Sequence, residues 1–398
     1  MGDILFLAHR IPYPPDRGDK MRGFHIVRHL GRRARVHVAA FAEDARDEHY
    51  AGALRGYVES VTVVRRTKSN LRAAAEALVG NRPVSLSAFH HPALKRAVGR
   101  IVADHPIDAA YAFSGQMAQY LPTGPVRAIM DFVDLDSAKF AAYADAARGP
   151  VAWMHAREAR MLGAFERSVA ARADASLFVS AAEAELFRAR SPDGRVAVLE
   201  NGIDTRFYDP AAGFPAVGEA GPLLVFTGQM DYRPNVEAVA WFADEVLPRL
   251  RERHPAARFA IVGRKPTEAV RSLGERADVI VTGEVADVRG WLAAAAVSVA
   301  PLRLARGIQN KVLEAMAMAR PVVASEPAAE GIDHAGTIRV AGTAAAMVGE
   351  IDTLLADRDA ADRLGTAARN RVRGRYGWDA CMAPLDALMS WRPEASAA

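Results

Sequence analysis

Short apolar runs alternate along the whole chain with longer stretches in which apolar positions recur every three or four residues. In the first half the strand-length runs are DILFLA (3–8), RVHVAAF (35–41), VTVVRR (61–66), IDAAYAF (107–113), VRAIMDF (126–132) and ASLFVS (175–180). Strands alternating with helical patterns predict parallel α/β structure. The rhythm breaks at YDPAAGFPAVGEAGP (208–222), rich in Gly, Pro and Ala. It restarts with LLVFTG (223–228), RFAIVG (258–263), DVIVTG (278–283), VSVAPL (297–302) and PVVAS (321–325). The break predicts a domain boundary. The expected division is an N-terminal domain over 1–210, a C-terminal domain over 211–375, and a terminal segment over 376–398. In that segment WDACMAPLDALMSW docks as a helix before a frayed RPEASAA. Three of the later runs end in glycine, which lets the backbone turn sharply where strand carboxyl ends face a ligand. Two doubly wound domains facing each other across a cleft are expected.

Composition narrows the picture. The 398 residues are 51% hydrophobic and 25% charged, which is globular. No apolar run reaches the ~18 residues needed to span a bilayer. The start MGDILFLAHR puts Asp3 before a strand-length run, unlike a basic leader, so a cytoplasmic chain is expected. A single cysteine, Cys381, excludes an internal disulfide and a cysteine-cluster metal site. The net charge of +4 gives no reason to expect nucleic acid as a partner.

The densest chemistry lies in RLARGIQNKVLEAMAMARPVVAS (303–325). Gly307 ends a loop, a helix starts near Gln309 or Asn310, and either amide can cap it. Lys311 then stands in the first turn, where a cation opposes the helix dipole unless an anion sits there too. Glu314 lies on the same face one turn deeper. A diphosphate at the helix start with a sugar hydroxyl beside Glu314 explains both charges; an intrahelical Lys311–Glu314 ion pair on a solvated face is the plainer alternative.

The segments KVLEAMAMARPVVAS, VLENGIDTRFYDP (198–210), FTGQMDYRPN (226–235) and HRIPYPPDRGDKMR (9–22), in their order, resemble the retaining family 4 glycosyltransferases of the GT-B fold. More narrowly, they resemble the sugar transferases associated with the exosortase and its exopolysaccharide loci. The resemblance implies an acceptor-binding first domain and a donor-binding second one. Glu314 would hold the ribose hydroxyls, and Gly307, Ile308 and Gln309, with Asn310, would surround the donor phosphates and sugar. Gly18 and Asp19 would meet the donor from the opposite domain, Gly228 would admit the pyrophosphate, and Val285 would contact the base. The chain departs from the family at Arg306, where an earlier glutamate is usual, and at Gln229 and Pro234, where cations are usual. Arg306, Arg233 and above all Lys311 are the replacement cations. Lys311 and Arg233 would stabilise the departing diphosphate, with no cofactor and no essential metal.

Asp134 and Asp136 form a D-x-D, a metal signature of the other large glycosyltransferase fold, but that fold does not repeat a doubly wound domain. Asp131 or Asp134 can instead orient the acceptor hydroxyl or donor sugar, or Asp134, Asp136 or Ser137 can simply cap a helix. His25 and His29 are four apart on a helix without a third ligand, and His9 follows the first strand. Segment 65–100 carries eight cations against Glu76, interleaved with Leu and Phe; it resembles a surface for anionic lipid headgroups on the inner face of the plasma membrane, or a solvated helix face. A lipid-linked or glycan acceptor fits the first reading. A non-catalytic sugar-nucleotide-binding protein and a nucleotide-sugar epimerase of the same fold remain open. An oxidoreductase is disfavoured, because AHRIPYPPDRG lacks the glycine-rich dinucleotide turn.

Overall fold

A computed structural model of the chain describes residues 2–15, 18–192, 194–215, 217–218, 221–305 and 308–389. Continuous apolar runs such as Asp3–Ala8 and Val36–Ala42 are buried along their whole length, as strands of a parallel sheet covered on both faces must be. The described residues fall into two compact units. One runs to Asn201 and resumes at Cys381; the other spans Gly202–Ala380.

The first unit holds a seven-stranded sheet: β1 (Asp3–Ala8), β2 (Val36–Ala42), β3 (Ser60–Arg65), β4 (Ile107–Phe113), β5 (Arg127–Val133), β6 (Ala175–Phe178) and β7 (Val196–Val198). Its order is β3-β2-β1-β4-β5-β6-β7, and every pairing is parallel. The second unit holds β8 (Leu223–Thr227), β9 (Arg258–Val262), β10 (Val279–Gly283), β11 (Val297–Ala300), β12 (Val322–Ala324) and β13 (Arg339–Val340), ordered β10-β9-β8-β11-β12-β13 and also parallel. Both are doubly wound Rossmann-like sheets, with strand order reversing at β1/β4 and at β8/β11. At such points ligands meet the strand carboxyl ends.

The unit boundary falls at Asn201/Gly202, ahead of the expected 210/211. The reason is local. Ile203 N donates to Tyr376 O at 2.7 Å, and a Cβ on Gly202 would lie 2.8 Å from Trp378 Cα, so the NGID segment is clamped onto the second unit. The Trp378–Leu388 helix ends in the first unit, where Asp386 accepts from Arg33 at 3.1 Å and meets His29 at 2.6 Å. The RPEASAA tail lies outside the described residues. Among the described residues no helix is long and apolar enough to cross a membrane.

Candidate functional site

At the carboxyl ends of β8, β9 and β10 the backbone is drawn together by glycines. Gly228 N donates to Val262 O at 3.0 Å, and Gly263 N donates to Gly283 O at 3.1 Å. Gly263 has φ +153°, and a Cβ there would lie 1.7 Å from Gly228 O, so no other residue fits without moving the strand ends apart. Beyond Gly228 the chain enters the Arg233–Trp241 helix, and beyond β11 it enters the Asn310–Ala317 helix. No side chain caps the first turn of either helix, although Gln309 occupies the N-cap position of the second. Among the described residues the expected amide cap bond is not made; the second helix start offers the N–H groups of Asn310 and Lys311 to an anion, whereas in the first Pro234 has no N–H and Asn235 N donates to Tyr232 O at 2.9 Å.

Lys311 bridges these two helix starts. Its Nζ donates to Asn235 Oδ1 at 3.0 Å and lies 5.1 Å from the centre of the Phe226 ring. The amine thus reaches across to the neighbouring helix rather than sitting on a solvated face. Burial lowers its pKa from 10.5 to about 8, against the opposing pull of Glu314. Asn235 is buried, and its Nδ2 donates to Gln229 O at 2.9 Å, so its amide is fixed with the oxygen toward Lys311. A Cβ on Gly228 would lie 2.8 Å from Asn235 Nδ2 and 3.5 Å from Lys311 Cε. Glycine here keeps room for the pair.

Glu314 stands one turn behind Lys311. Burial raises its pKa, while a hydrogen bond from the Tyr208 hydroxyl and the Lys311 charge pull the other way. Tyr208 is in turn driven up by burial and by the Glu314 charge. The segment carrying Tyr208 is strapped down by two arginines. Arg369 Nη1 donates to Tyr208 O at 2.7 Å and to Ala317 O, and its Nη2 donates to Asp209 Oδ1 at 3.0 Å. Arg289 donates to Phe207 O at 2.9 Å, lies over the Phe207 ring at 3.9 Å and holds Asp287. Val285 and Ile308 both pack onto the core of this unit. The 204–210 and 283–287 segments and the helix bearing Lys311 and Glu314 are thereby bound into one arrangement.

Other expected residues lie elsewhere. Arg233 is 88% exposed and paired with Glu237 at 2.7 Å along its own helix, with no contact to Lys311 or Glu314. Gln229 turns its side chain to Asp231 at 2.5 Å and to Arg264 at 3.1 Å. Asn310 is exposed at its helix start; Arg306 and Gly307 lie outside the described residues. In the first unit Gly18 opens the Gly18–Gly31 helix with open space where a Cβ would be, and Asp19 binds Arg10 at 2.7 Å with His9 at 3.5 Å.

Asp131 is corrected by its surroundings. It is 0% exposed and takes a two-pronged bond from Arg22 at 3.0 and 3.1 Å, another from Tyr111 at 2.7 Å and one from Val133 N at 3.1 Å. Its oxygens are consumed by the core, so it anchors Arg22 and cannot orient an acceptor. Arg22 continues to Leu199 O at 2.7 Å and Asn201 Oδ1 at 2.9 Å. Asp134, by contrast, is exposed just past the end of β5. Near it Ser114 and Val133, at the ends of β4 and β5, have φ of 78° and 69°, a conformation costly for non-glycine residues and most of all for a β-branched one. Asp136 faces the same region. Burial raises its pKa, and its Oδ2 accepts from Gln116 Nε2 at a long 3.4 Å. His29, buried, bonds Asp386 rather than a metal partner. Among the described residues, the group with ligand atoms near enough for a metal is Asp3, His37 and His105, at the amino ends of the strands. There Asp3 is already bonded to Arg35, and His37 to Ser60.

Sequence reasoning did not single out Tyr208, Asn235 or Arg369 as members of a site, and weighed Asp136 only as part of a D-x-D or as a helix cap. Tyr208 and Asn235 lie inside the motifs 198–210 and 226–235; the available signal for Asn235 was a polar group in a helix's first turn that the fold must bury, and Tyr208 lies in a loop. Arg369 carried no signal, because its partners, two backbone oxygens and the Asp209 carboxylate, are distant in sequence.

Residues 221–357 match the family model described as Glycosyl transferases group 1. No curated protein shows significant similarity to the chain. Among solved structures, Anabaena HepE in complex with UDP is 16% identical over 98% of this chain and 99% of that one, with a TM-score of 0.65. Sucrose-phosphate synthase from Thermosynechococcus elongatus is 18% identical over 98% of each chain, with a TM-score of 0.63. WaaG, a glycosyltransferase involved in lipopolysaccharide biosynthesis, is 16% identical over 97% of this chain and 98% of that one, with a TM-score of 0.61. Residues 221–357 thus match a glycosyl transferases group 1 domain, and the two Rossmann-like domains give the chain a fold of the GT-B type.

Proposed function

We propose that the protein is a glycosyltransferase that moves a sugar, with retention of anomeric configuration, from a nucleoside-diphosphate sugar to a lipid-linked or glycan acceptor. Its setting is exopolysaccharide or cell-envelope polysaccharide synthesis, as in the family 4 and exosortase-associated enzymes it resembles. The single observation that carries the reading is Lys311, a half-buried cation in the first turn of one helix that reaches across to Asn235 at the start of the next, with Glu314 one turn behind. A lone ammonium is costly there, and an incoming diphosphate relieves that cost. The group 1 match over 221–357 and the UDP and UDP-glucose complexes of HepE support a nucleotide-sugar donor and make uridine the first base to try.

In this reading the bond between the anomeric carbon and the diphosphate oxygen breaks while the acceptor oxygen bonds to that carbon, and the acceptor hydroxyl's proton passes to the departing diphosphate. Lys311, with the N–H groups at Ile308–Lys311, meets the charge that grows on the departing oxygen; one such donor is worth about 3–4 kcal/mol at the transition state. Glu314 accepts the ribose hydroxyls, Val285 lies beside the base, and Gly228 with Gln229 lines the diphosphate. Arg233, exposed beside one helix start, serves as an outlying cation. Asp134, with Asp136 beside it, is the carboxylate on the acceptor side. The basic strip 65–100 meets an anionic membrane face, which suits a lipid-linked acceptor.

The test is transfer from UDP-sugars to envelope lipid extracts, with the product linkage read by proton NMR. Retained configuration supports the proposal and inversion refutes the retaining step. Donor binding without turnover points to a non-catalytic binder, and conversion of donor without acceptor points to an epimerase.

A further inference from the structure

The Asn70–Val79 helix is inside out. Its buried positions are Ala73 and Ala77, while Leu71 and Val79 are 86% and 91% exposed and Leu78 is exposed with them. Positions 71, 75, 78 and 79 fall on one helical stripe, so an apolar face that would ordinarily form core is turned to solvent. A second exposed apolar group opens the Gly149–Ala170 helix: Val151, Trp153 and Met154. The two groups are neighbours. Arg157 donates to Ala77 O at 3.1 Å and Arg82 O at 3.3 Å, and Glu158 accepts from Val84 N at 2.7 Å and Ser85 N at 2.9 Å. Trp153 and Met154 lie one turn ahead of Arg157 and Glu158 on their helix, and Leu78 and Val79 directly follow Ala77 on theirs. Among the described residues, eight large apolar side chains are more than half exposed, and six belong to this patch. Chance scatter does not concentrate them so.

We propose that this patch is a membrane-docking surface that inserts its apolar side chains among the headgroups of an anionic bilayer. Charge decides the occupant. Arg72, Arg148 and Arg160 are exposed around the patch, and segment 65–100 carries eight cations against one carboxylate, Glu76. Glu76 is already engaged by Lys68 at 2.6 Å and Arg72 at 2.9 Å. A second copy docking on the same face would oppose one cationic rim to another, whereas an anionic lipid surface complements it. An exposed tryptophan ringed by arginines is also the composition that favours the bilayer interface. The inference adds an apolar anchor to the basic strip of the proposed function.

The experiment is co-sedimentation of the full chain with vesicles of phosphatidylcholine alone or containing about one-third phosphatidylglycerol, at low and at high salt. Native protein, Trp153→Ser and the pair Leu78→Ser with Val79→Ser are compared. Binding to the anionic vesicles alone is expected, with tenfold or greater weakening in each variant and in high salt. The altered side chains are exposed, so melting temperature and nucleoside-diphosphate binding stay native. Vesicle binding and diphosphate binding are separate readouts, so either claim can fail alone. Native-like vesicle binding by both variants overturns the insertion, as does no binding to anionic vesicles. A self-associating native chain that both variants render monomeric assigns the patch to a second copy and overturns the proposal.

Discussion

Replacing Lys311 by methionine should raise stability and abolish diphosphate binding. A pKa lowered from 10.5 to about 8 by burial means that keeping the ammonium charged at neutral pH costs the free protein about 3 kcal/mol. The folded value lies below the unfolded one. The cost is therefore fully present below pH about 8 and is relieved as the pH rises toward 10.5, where the unfolded chain still holds the proton. Methionine removes the charge but loses the bond to Asn235 Oδ1 and leaves that buried acceptor unpaired, which returns about 1–2 kcal/mol. The net gain is about 1–2 kcal/mol, a rise of roughly 2–8 °C for a unit of this size. The assay is differential scanning calorimetry from pH about 6 to about 10, with and without a nucleoside diphosphate. Native protein should lose diphosphate-induced stabilisation above pH about 8, by up to tenfold in affinity per pH unit. The variant should melt higher, bind at least about a hundredfold more weakly and show no such pH dependence. A variant that melts lower than native and still binds as native would refute the reasoning, because Lys311 would then be a structural group.

Other perturbations separate the parts of the site. Glu314→Gln should weaken nucleoside diphosphates by about ten- to hundredfold while leaving inorganic pyrophosphate unaffected, as calorimetric titration would show. Tyr208→Phe removes the hydrogen bond that opposes burial at Glu314, so the acid-side fall in nucleotide affinity should move to higher pH; an unmoved profile would separate the two residues. Gly263→Ala drives a Cβ into Gly228 O and should cost more than about 3 kcal/mol, measured by urea unfolding of the second unit. Asp131→Asn leaves Arg22 buried without its counter-charge and should cost about 3–5 kcal/mol in the first unit, with the m-value unchanged.

The long strands were legible because both faces of a parallel sheet are buried: the apolar runs at 3–8, 107–113 and 223–228 coincide with β1, β4 and β8 to within a residue. The short edge strands β7 and β13 were missed. They span three and two residues, half-buried in one and exposed in the other, and so leave no apolar run to find. Lys311 and Glu314 were legible because an opposed pair of charges at a helix start is conspicuous. The role of Asp131 was not, since only the fold brings Arg22 and Tyr111 to it, from 109 and 20 residues away in sequence. The ion pair of Arg233 was not legible for the complementary reason: position at a helix start says nothing about which way a long side chain turns, and Glu237 four residues on pairs with it.

The most direct test of the donor site is titration calorimetry of the native chain, Glu314→Gln and Lys311→Met with UDP, GDP, ADP, CDP, TDP and pyrophosphate. The account predicts that one nucleoside diphosphate binds the native chain, that the glutamate variant loses the nucleoside's contribution but keeps pyrophosphate, and that the lysine variant loses both. Binding of every diphosphate with equal affinity to all three proteins, or of none to any, would contradict it.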